Sequence, residues 1–200
     1  MPRSKRLFDV SFSALALVLL APLLVLLGAL IWLFNGRPIF FIQQRPGFKG
    51  RPFGVIKFRT MREARDVAGL SLPDSVRLTR FGRFMRSLSL DELPELMNIL
   101  RGEMSLVGPR PLMMQYLPLY SAEQMRRHDV HPGLTGWAQV HGRNALDWPE
   151  RFRMDVWYVD HGSFLLDLRI ILLTIWKVIS RQGVSQPGRA TTEYFAGNKD

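Results

Sequence analysis

The chain contains no cysteine, which excludes a disulfide framework and any thiolate metal site and fits a reducing, cytoplasmic setting. Histidine is scarce too. His128, His131, His141 and His161 show no HExxH-like spacing, so they read as ordinary polar residues ahead of zinc ligation by His128 and His131. Acidic side chains are in deficit, 17 against 27 lysines and arginines, giving a net charge of +10. That excess favours anionic partners: nucleic acid, anionic lipid headgroups or phosphorylated substrates. Internal repeats and low-complexity tracts are lacking. Two hundred residues suffice for one domain with an appendage.

Charge itself is missing from Phe12 to Phe34. As a straight helix this run reaches ~35 Å, enough to cross the hydrocarbon core. It is too long for a cleaved signal peptide and no small-x-small site follows it. Pro22 lies at its midpoint, where it removes a helical donor and strains the Val18 carbonyl. Each half then reaches ~15–18 Å, about half a bilayer. Both flanks are basic, with Arg3, Lys5 and Arg6 before and Arg37, Arg45, Lys49 and Arg51 after. The positive-inside rule places both in the cytoplasm, which favours a re-entrant helix broken at Ala21-Pro22 over a kinked single span. The membrane segment also separates the partner classes, because a soluble nucleic-acid binder does not need it. The division expected is a membrane helix over 1–36 and a cytoplasmic catalytic domain over 37–200.

Beyond Gly36, IFFIQQ and PFGVIKFRT read as two short strands around a cationic Pro-Gly turn, RPGFKGR. In the second strand Val55, Lys57 and Arg59 alternate with Ile56 and Phe58, so an apolar face should oppose one carrying two cations. That cationic face is either solvated or turned to phosphate. Val76 to Arg86 reads as a helix carrying Arg77, Arg80, Arg83 and Arg86 over half its circumference. Phe164 to Ile179 reads as the last strong helix. Leu165, Leu168, Ile171, Leu172, Ile175, Trp176 and Ile179 fill one broad face, either in the core or in the lipid interface. The fold class expected is α+β, mainly helical, with a small β-hairpin and interfacial amphipathic helices.

The segment RSLSLDELPELMNILRGEMSLVGPRP places adjacent carboxylates, Asp91 and Glu92, directly after the arginine series. Two readings compete. Acidic residues in a first helical turn complement the dipole, with Ser89 and Glu92 as a capping box or Asp91 as N-cap. Alternatively, one carboxylate attacks phosphorus while the other binds metal or handles a proton, since neighbours on a helix diverge by ~100°. Oxygen-only ligands suit Mg²⁺, held by Asp91 and Glu92. Arg86 is the nearest candidate for substrate phosphate. Arg110 sits between two prolines, a stiff mount for a bidentate phosphate contact. HPGLTGWAQVHGRN combines Gly133, Gly136 and Gly142 with Arg143, which suits backbone approach to phosphates or plain turning.

RPGFKGRPFGVIKFRTM, the dyad segment, HPGLTGWAQVHGRN and the tail GVSQPGRATTEYF together resemble the bacterial sugar transferase family. Within it they resemble the monotopic phosphoglycosyl transferases, of which the PglC-like enzymes are the small form. The resemblance covers nearly the whole chain. It implies a re-entrant helix at the cytoplasmic face of the bacterial inner membrane and a Mg²⁺-dependent reaction in two steps. Asp91 would attack the β-phosphate of a UDP-sugar and expel UMP. Polyprenyl (undecaprenyl) phosphate would then take the phosphosugar, the first membrane step of glycoconjugate assembly. By the same resemblance Glu92 completes the dyad, and Arg86, Lys57 and Arg59 fall on the family's basic positions.

The resemblance places the chain with the minimal enzymes, without the extra N-terminal membrane domain of longer relatives, and its PglC-like tail suggests an N-acetylated amino sugar such as N,N'-diacetylbacillosamine. One departure is visible: family members often carry Ser-Pro at the helix break, where this chain has Ala21-Pro22. Partners expected are therefore a UDP-sugar, polyprenyl phosphate and membrane lipid, without nucleic acid; a homodimer is compatible with this. Two other classes compete: a non-catalytic basic module tethered to the membrane, and a metal-dependent hydrolase of lipid diphosphates.

Overall fold

The computed structural model describes residues 1–63, 70, 72–142, 146–180 and 194–198. Helix α1 runs unbroken over Arg3–Asn35, with Pro22 inside it. The expected break at Pro22 therefore does not interrupt the helix. Proline removes one hydrogen bond only, and the carbonyl it would free, at Val18, lies on an outward turn.

Burial along α1 follows the helical period although the sequence is apolar all round. Ser13, Leu27, Gly28, Ile31 and Asn35 face the protein, while Leu15, Val18, Leu19, Val25, Leu26 and Leu33 are exposed. Both ends of α1 are fastened to the same body. At the start, Arg6 Nη2 donates to the Leu100 carbonyl at 2.8 Å and Lys5 pairs with Asp167. At the end, Asn35 Nδ2 donates to the Arg59 carbonyl at 3.0 Å, and the Arg59 guanidinium returns a bond to the Asn35 carbonyl. Gly36 stops the helix at φ 76°, a left-handed value that favours glycine.

Strands β1 (Phe40–Pro46) and β2 (Pro52–Phe58) form the expected antiparallel hairpin, with Phe41 opposite Lys57. Phe53 and Val55, on the same face as Lys57, are buried, so of the two readings of that face the solvated one does not hold and Lys57 is turned inward.

The single helix expected over Val76–Arg86 is two: α2 (Asp74–Arg77) and α3 (Arg80–Ser87). Between them Leu78 is extended and bridges Met61, and Thr79 caps α3 by accepting from the Gly82 amide at 2.9 Å. Gly82 lies so close to Thr60 that a Cβ would fall 2.0 Å from its carbonyl oxygen. Helix α4 (Glu95–Arg101) ends at Gly102, φ 84°, with the Glu103 amide bonded back to the Asn98 carbonyl. The Arg6 guanidinium caps the last carbonyls of α4. Asn98, fully buried, acts as a false strand: it accepts from Ile56 N at 3.0 Å and donates to the Gly54 carbonyl at 2.7 Å, locking α4 to β2.

Strand β3 (Ser105–Val107), the short α5 (Ala122–Met125), strand β4 (Gly133–Thr135) and α6 (Trp137–Val140) follow. The parallel pairing of β3 with β4 brings the two glycine-proline loops together. A Cβ on Gly133 would lie 2.1 Å from Gly108 N, and one on Gly136 2.2 Å from the Gly108 carbonyl oxygen. These glycines serve backbone packing, which is the plainer of the two readings of the loop. Helix α7 (Trp148–His161) is capped by Asp147, which accepts from Glu150 N at 2.8 Å.

Helix α8 (Phe164–Ile179) has the expected bounds. Its inward residues are Asp167 and Ile170, while Leu165, Leu172, Ile175 and Trp176 stand exposed. Most of the broad apolar face thus points outward, although Ile171 packs against the core. The exposed apolar residues of α1 and α8 are far more than a water-facing surface usually carries as a patch.

Candidate active site

Ser89 adopts a left-handed conformation, φ 54° and ψ 24°, and makes no capping bond. Neither capping frame forms: Leu90–Glu92 is one 3₁₀ turn, and Pro94, not Asp91, stands at the N-cap of α4. The dyad is therefore presented by an irregular turn wedged between α3 and α4. A non-glycine residue held at positive φ costs about 1 kcal/mol or more and persists where surrounding structure enforces it.

The two carboxylates differ sharply. Glu92, 8 % exposed, is clamped by Arg110 on both oxygens and accepts from Lys57 Nζ at 3.0 Å. Lys57 also meets Glu95 at 3.0 Å, making a buried Glu92–Lys57–Glu95 bridge. Asp91 is equally buried, yet among the described residues no hydrogen bond or ion pair reaches its carboxylate. Burial, and then the Glu92 charge, push the Asp91 carboxyl above the ordinary aspartate range; Lys57, Arg86 and Arg110 pull the other way without prevailing. Burial also raises Glu95. For Lys57 burial acts to lower the ammonium, but Glu92 and Glu95 outweigh it and leave it above the ordinary lysine value. Glu92, ahead of the opposing burial, drives Arg110 upward.

Arg110 is held from behind. Its carbonyl accepts from Arg127 Nη2 at 2.7 Å, and Arg127, 2 % exposed, pairs with Asp155 at 2.7 Å. Arg45 and Arg151 lie within electrostatic reach of Arg110: burial lowers both guanidinium groups and the Arg110 charge adds to it. Arg151 stacks 4.5 Å over Trp148, beside Tyr116, Phe152 and Phe195. An excess of guanidinium groups beside an aromatic cluster is suited to a nucleoside diphosphate.

Of the expected phosphate ligands, Lys57 and Arg110 reach the dyad directly. Arg86 donates from Nε to Thr60 Oγ1 at 3.0 Å and acts on Asp91 through its charge. Arg59 is buried and directed to the Asn35 carbonyl, so it secures the end of α1. Arg143 lies outside the described residues, as does most of the tail segment. His128 is buried with Nδ1 at 3.1 Å from the Gly47 carbonyl, and His131 stacks on Phe48, consistent with ordinary roles for both. Glu95, Arg45, Arg127, Arg151 and Asp155 were not anticipated. Glu95 alone carried a signal, standing three residues after Glu92.

Mg²⁺ is commonly held through one or two carboxylates plus substrate phosphates and water. The unpartnered Asp91 carboxylate fits such a role, with Glu92 beside it. Among the described residues no group of three His, Cys, Asp or Glu side chains forms a self-contained metal cage.

A helix with an outward apolar face, fused to a basic domain that holds a buried carboxylate pair under arginines, defines a membrane-associated enzyme acting on phosphorylated substrates. The comparisons with known proteins agree. The bacterial sugar transferase family model matches residues 2–181, and the chain belongs to that family. It is 52 % identical over 196 residues to the uncharacterized sugar transferase EpsL of Bacillus subtilis, covering 98 % of this chain and 97 % of that one. It is 39 % identical to the exopolysaccharide production protein ExoY of Rhizobium meliloti, covering 90 % of this chain and 87 % of the relative. The undecaprenyl-phosphate glucose phosphotransferase of Komagataeibacter xylinus is 46 % identical over 189 residues, 88 % of this chain but 36 % of that protein. Several further relatives are UDP-glucose:undecaprenyl-phosphate glucose-1-phosphate transferases. None of these names refers to an amino sugar.

Proposed function

We propose that this protein transfers a sugar 1-phosphate from a UDP-sugar to undecaprenyl phosphate, releasing UMP. The observation that carries the reading is the asymmetry of the dyad. Glu92 is immobilised by Lys57 and Arg110, while Asp91 is buried, unbonded and free to act on phosphorus. An Asp91 oxygen attacks the β-phosphorus of the UDP-sugar; the bond from that phosphorus to the bridging oxygen breaks, and UMP leaves with the electron pair. An oxygen of undecaprenyl phosphate then attacks the same phosphorus, and the Asp91 carboxylate is released. Arg110, Arg86 and Lys57 offset the negative charge that would otherwise repel a carboxylate from a polyphosphate. Mg²⁺, held by Asp91 with Glu92, would add charge neutralisation at the phosphates.

The relatives' named substrate makes UDP-glucose the first donor to test, ahead of the amino sugar suggested by the resemblance of the tail. The membrane arrangement supported is monotopic. Both ends of α1 are bonded to one body, and a crossing helix would place them on opposite sides of the bilayer. The test is UMP release from UDP-glucose by the purified chain in membranes with and without undecaprenyl phosphate. Quenched reactions should contain a phosphosugar on Asp91, and an Asp91→Asn enzyme that turns over normally would refute the assignment.

A further inference from the structure

A cavity of about 380 Å³ opens beside the dyad turn, within the size range of small-molecule sites. Its walls are contributed by four regions: Phe12 of α1, the 87–93 segment, the β3–β4 pair with α6, and Ile171, Ile175 and Val178 of α8. Where polar residues line it they are largely turned into the protein. Thr135 and Thr174 bond each other at 2.7 Å, and Gln139 Nε2 donates to the Leu134 carbonyl at 3.1 Å. The surface left to an occupant is overwhelmingly aliphatic.

The cavity also has direction. Glu92 and Leu106 are among its least exposed lining residues, at 8 % and 4 %, whereas Phe12 and Ile175 are 41 % and 50 % exposed. The exposed end continues into the outward apolar faces of α1 and α8, which fit the lipid interface. Ser89, the strained left-handed residue, lines the cavity two residues before Asp91, on the turn that carries the dyad. Lys177 adds a cation to the lining. An occupant must therefore be apolar along its length, anionic at its head and supplied from the membrane.

Resting on the transferase reading, we infer that this cavity seats the first isoprene units of the polyprenyl phosphate acceptor and delivers its phosphate past Ser89 to Asp91. The remainder of the chain stays in lipid, because the cavity is too small for it. Arg110 and Trp148, of the guanidinium and aromatic cluster, are not among the residues that line the cavity. The two substrates would then be held by different sets of residues around one carboxylate pair.

The experiment is photolabelling of the full chain in lipid nanodiscs with a polyprenyl phosphate bearing a benzophenone on its first isoprene units. Adducts are expected in the 87–93 and 164–179 segments, competed by unlabelled polyprenyl phosphate. Labelling confined to the outward face of α1 would overturn the inference. Equal labelling of the same segments by a phospholipid carrying the same photophore would also overturn it, by showing a general lipid surface. Labelling needs no turnover, so it stays readable even if UMP release fails and the transferase reading falls.

A Val178→Trp variant supplies the kinetic arm. Filling the cavity should raise the acceptor KM roughly tenfold, equivalent to ~1.4 kcal/mol, with the donor KM unmoved. The preference for long-chain over single-isoprene acceptors should shrink with it. An unchanged preference in a folded Val178→Trp enzyme would overturn the inference.

Discussion

Replacing Lys57 by methionine tests whether the Glu92–Lys57–Glu95 bridge organises the site. Lys57 Nζ lies 3.0 Å from both carboxylates, and Glu95 is 1 % exposed with Lys57 as its paired cation. Methionine preserves most of the volume but strands Glu95 in a dry environment. Glu95 must then stay charged at a cost of several kcal/mol or take up a proton at neutral pH. Removing one partner of a buried ion pair typically costs ~3–5 kcal/mol. For a chain of this size that lowers Tm by roughly 6–20 °C. Glu92 suffers less, because Arg110 still clamps it.

The double variant Lys57→Met/Glu95→Gln should recover most of the loss, since no uncompensated charge remains. Its coupling energy, read by thermal unfolding in detergent at pH 7, should be ~2 kcal/mol or more in favour of the pair. If Lys57→Met lowers stability by less than ~1 kcal/mol, the bridge is not a structural element. The double variant also isolates catalysis. A folded double variant with slow UMP release would assign Lys57 a phosphate contact in addition to its structural one.

The raised Asp91 carboxyl has a kinetic consequence. In the proposed mechanism Asp91 attacks only when ionised, so adduct formation should fall on the acid side at a pH above the ordinary aspartate value, and a profile flat to below pH 4 would contradict this. Arg110→Lys keeps the charge but loses the two-pronged clamp on Glu92, and kcat/KM should drop ~10–100-fold; a change under twofold would remove the clamp from the argument. His128 is held at about 4 by burial and Arg127, below its ordinary 6.5. A depressed histidine contributes stability present above pH 6.5 and lost as pH falls toward 4, a total of ~3 kcal/mol at ~1.4 kcal/mol per pH unit. His128→Gln should flatten that part of the stability–pH curve. Cysteines introduced at exposed Arg3 and Arg37, in a chain with none of its own, should be labelled from the same side of inverted vesicles. Labelling from opposite sides would show a crossing helix.

Local signals were legible where one residue type has one strong local meaning. The hairpin followed from two β-rich runs around a Pro-Gly turn, and α8 from sixteen residues of helical periodicity between Ser163 and Ser180. The dyad stood out as the only adjacent Asp-Glu pair in a basic chain. Signals failed where a local preference met a tertiary demand. Val76–Arg86 has helical character throughout, but Leu78 is drawn into a bridge with Met61 and the helix restarts at Thr79. Ser89 and Glu92 spell a capping box, yet the turn is forced left-handed and the cap is lost. The alternation in β2 was read correctly, but the side carrying Lys57 faces inward because its ammonium finds two buried carboxylates there.

By itself the sequence determined an apolar helix flanked by cations, a hairpin, and two acidic residues primed by arginines. These depend on composition and short-range periodicity, which a chain carries whatever it packs against. Tertiary structure decided which stripe of α1 is buried between Ala14 and Phe34, where no polar side chain marks it; Asp9, Ser13 and Asn35 mark it only towards the ends. It also decided that Glu92 is fixed while Asp91 is left unbonded: that distinction depends on where Lys57, Glu95 and Arg110 converge, and residues distant in sequence converge only through packing.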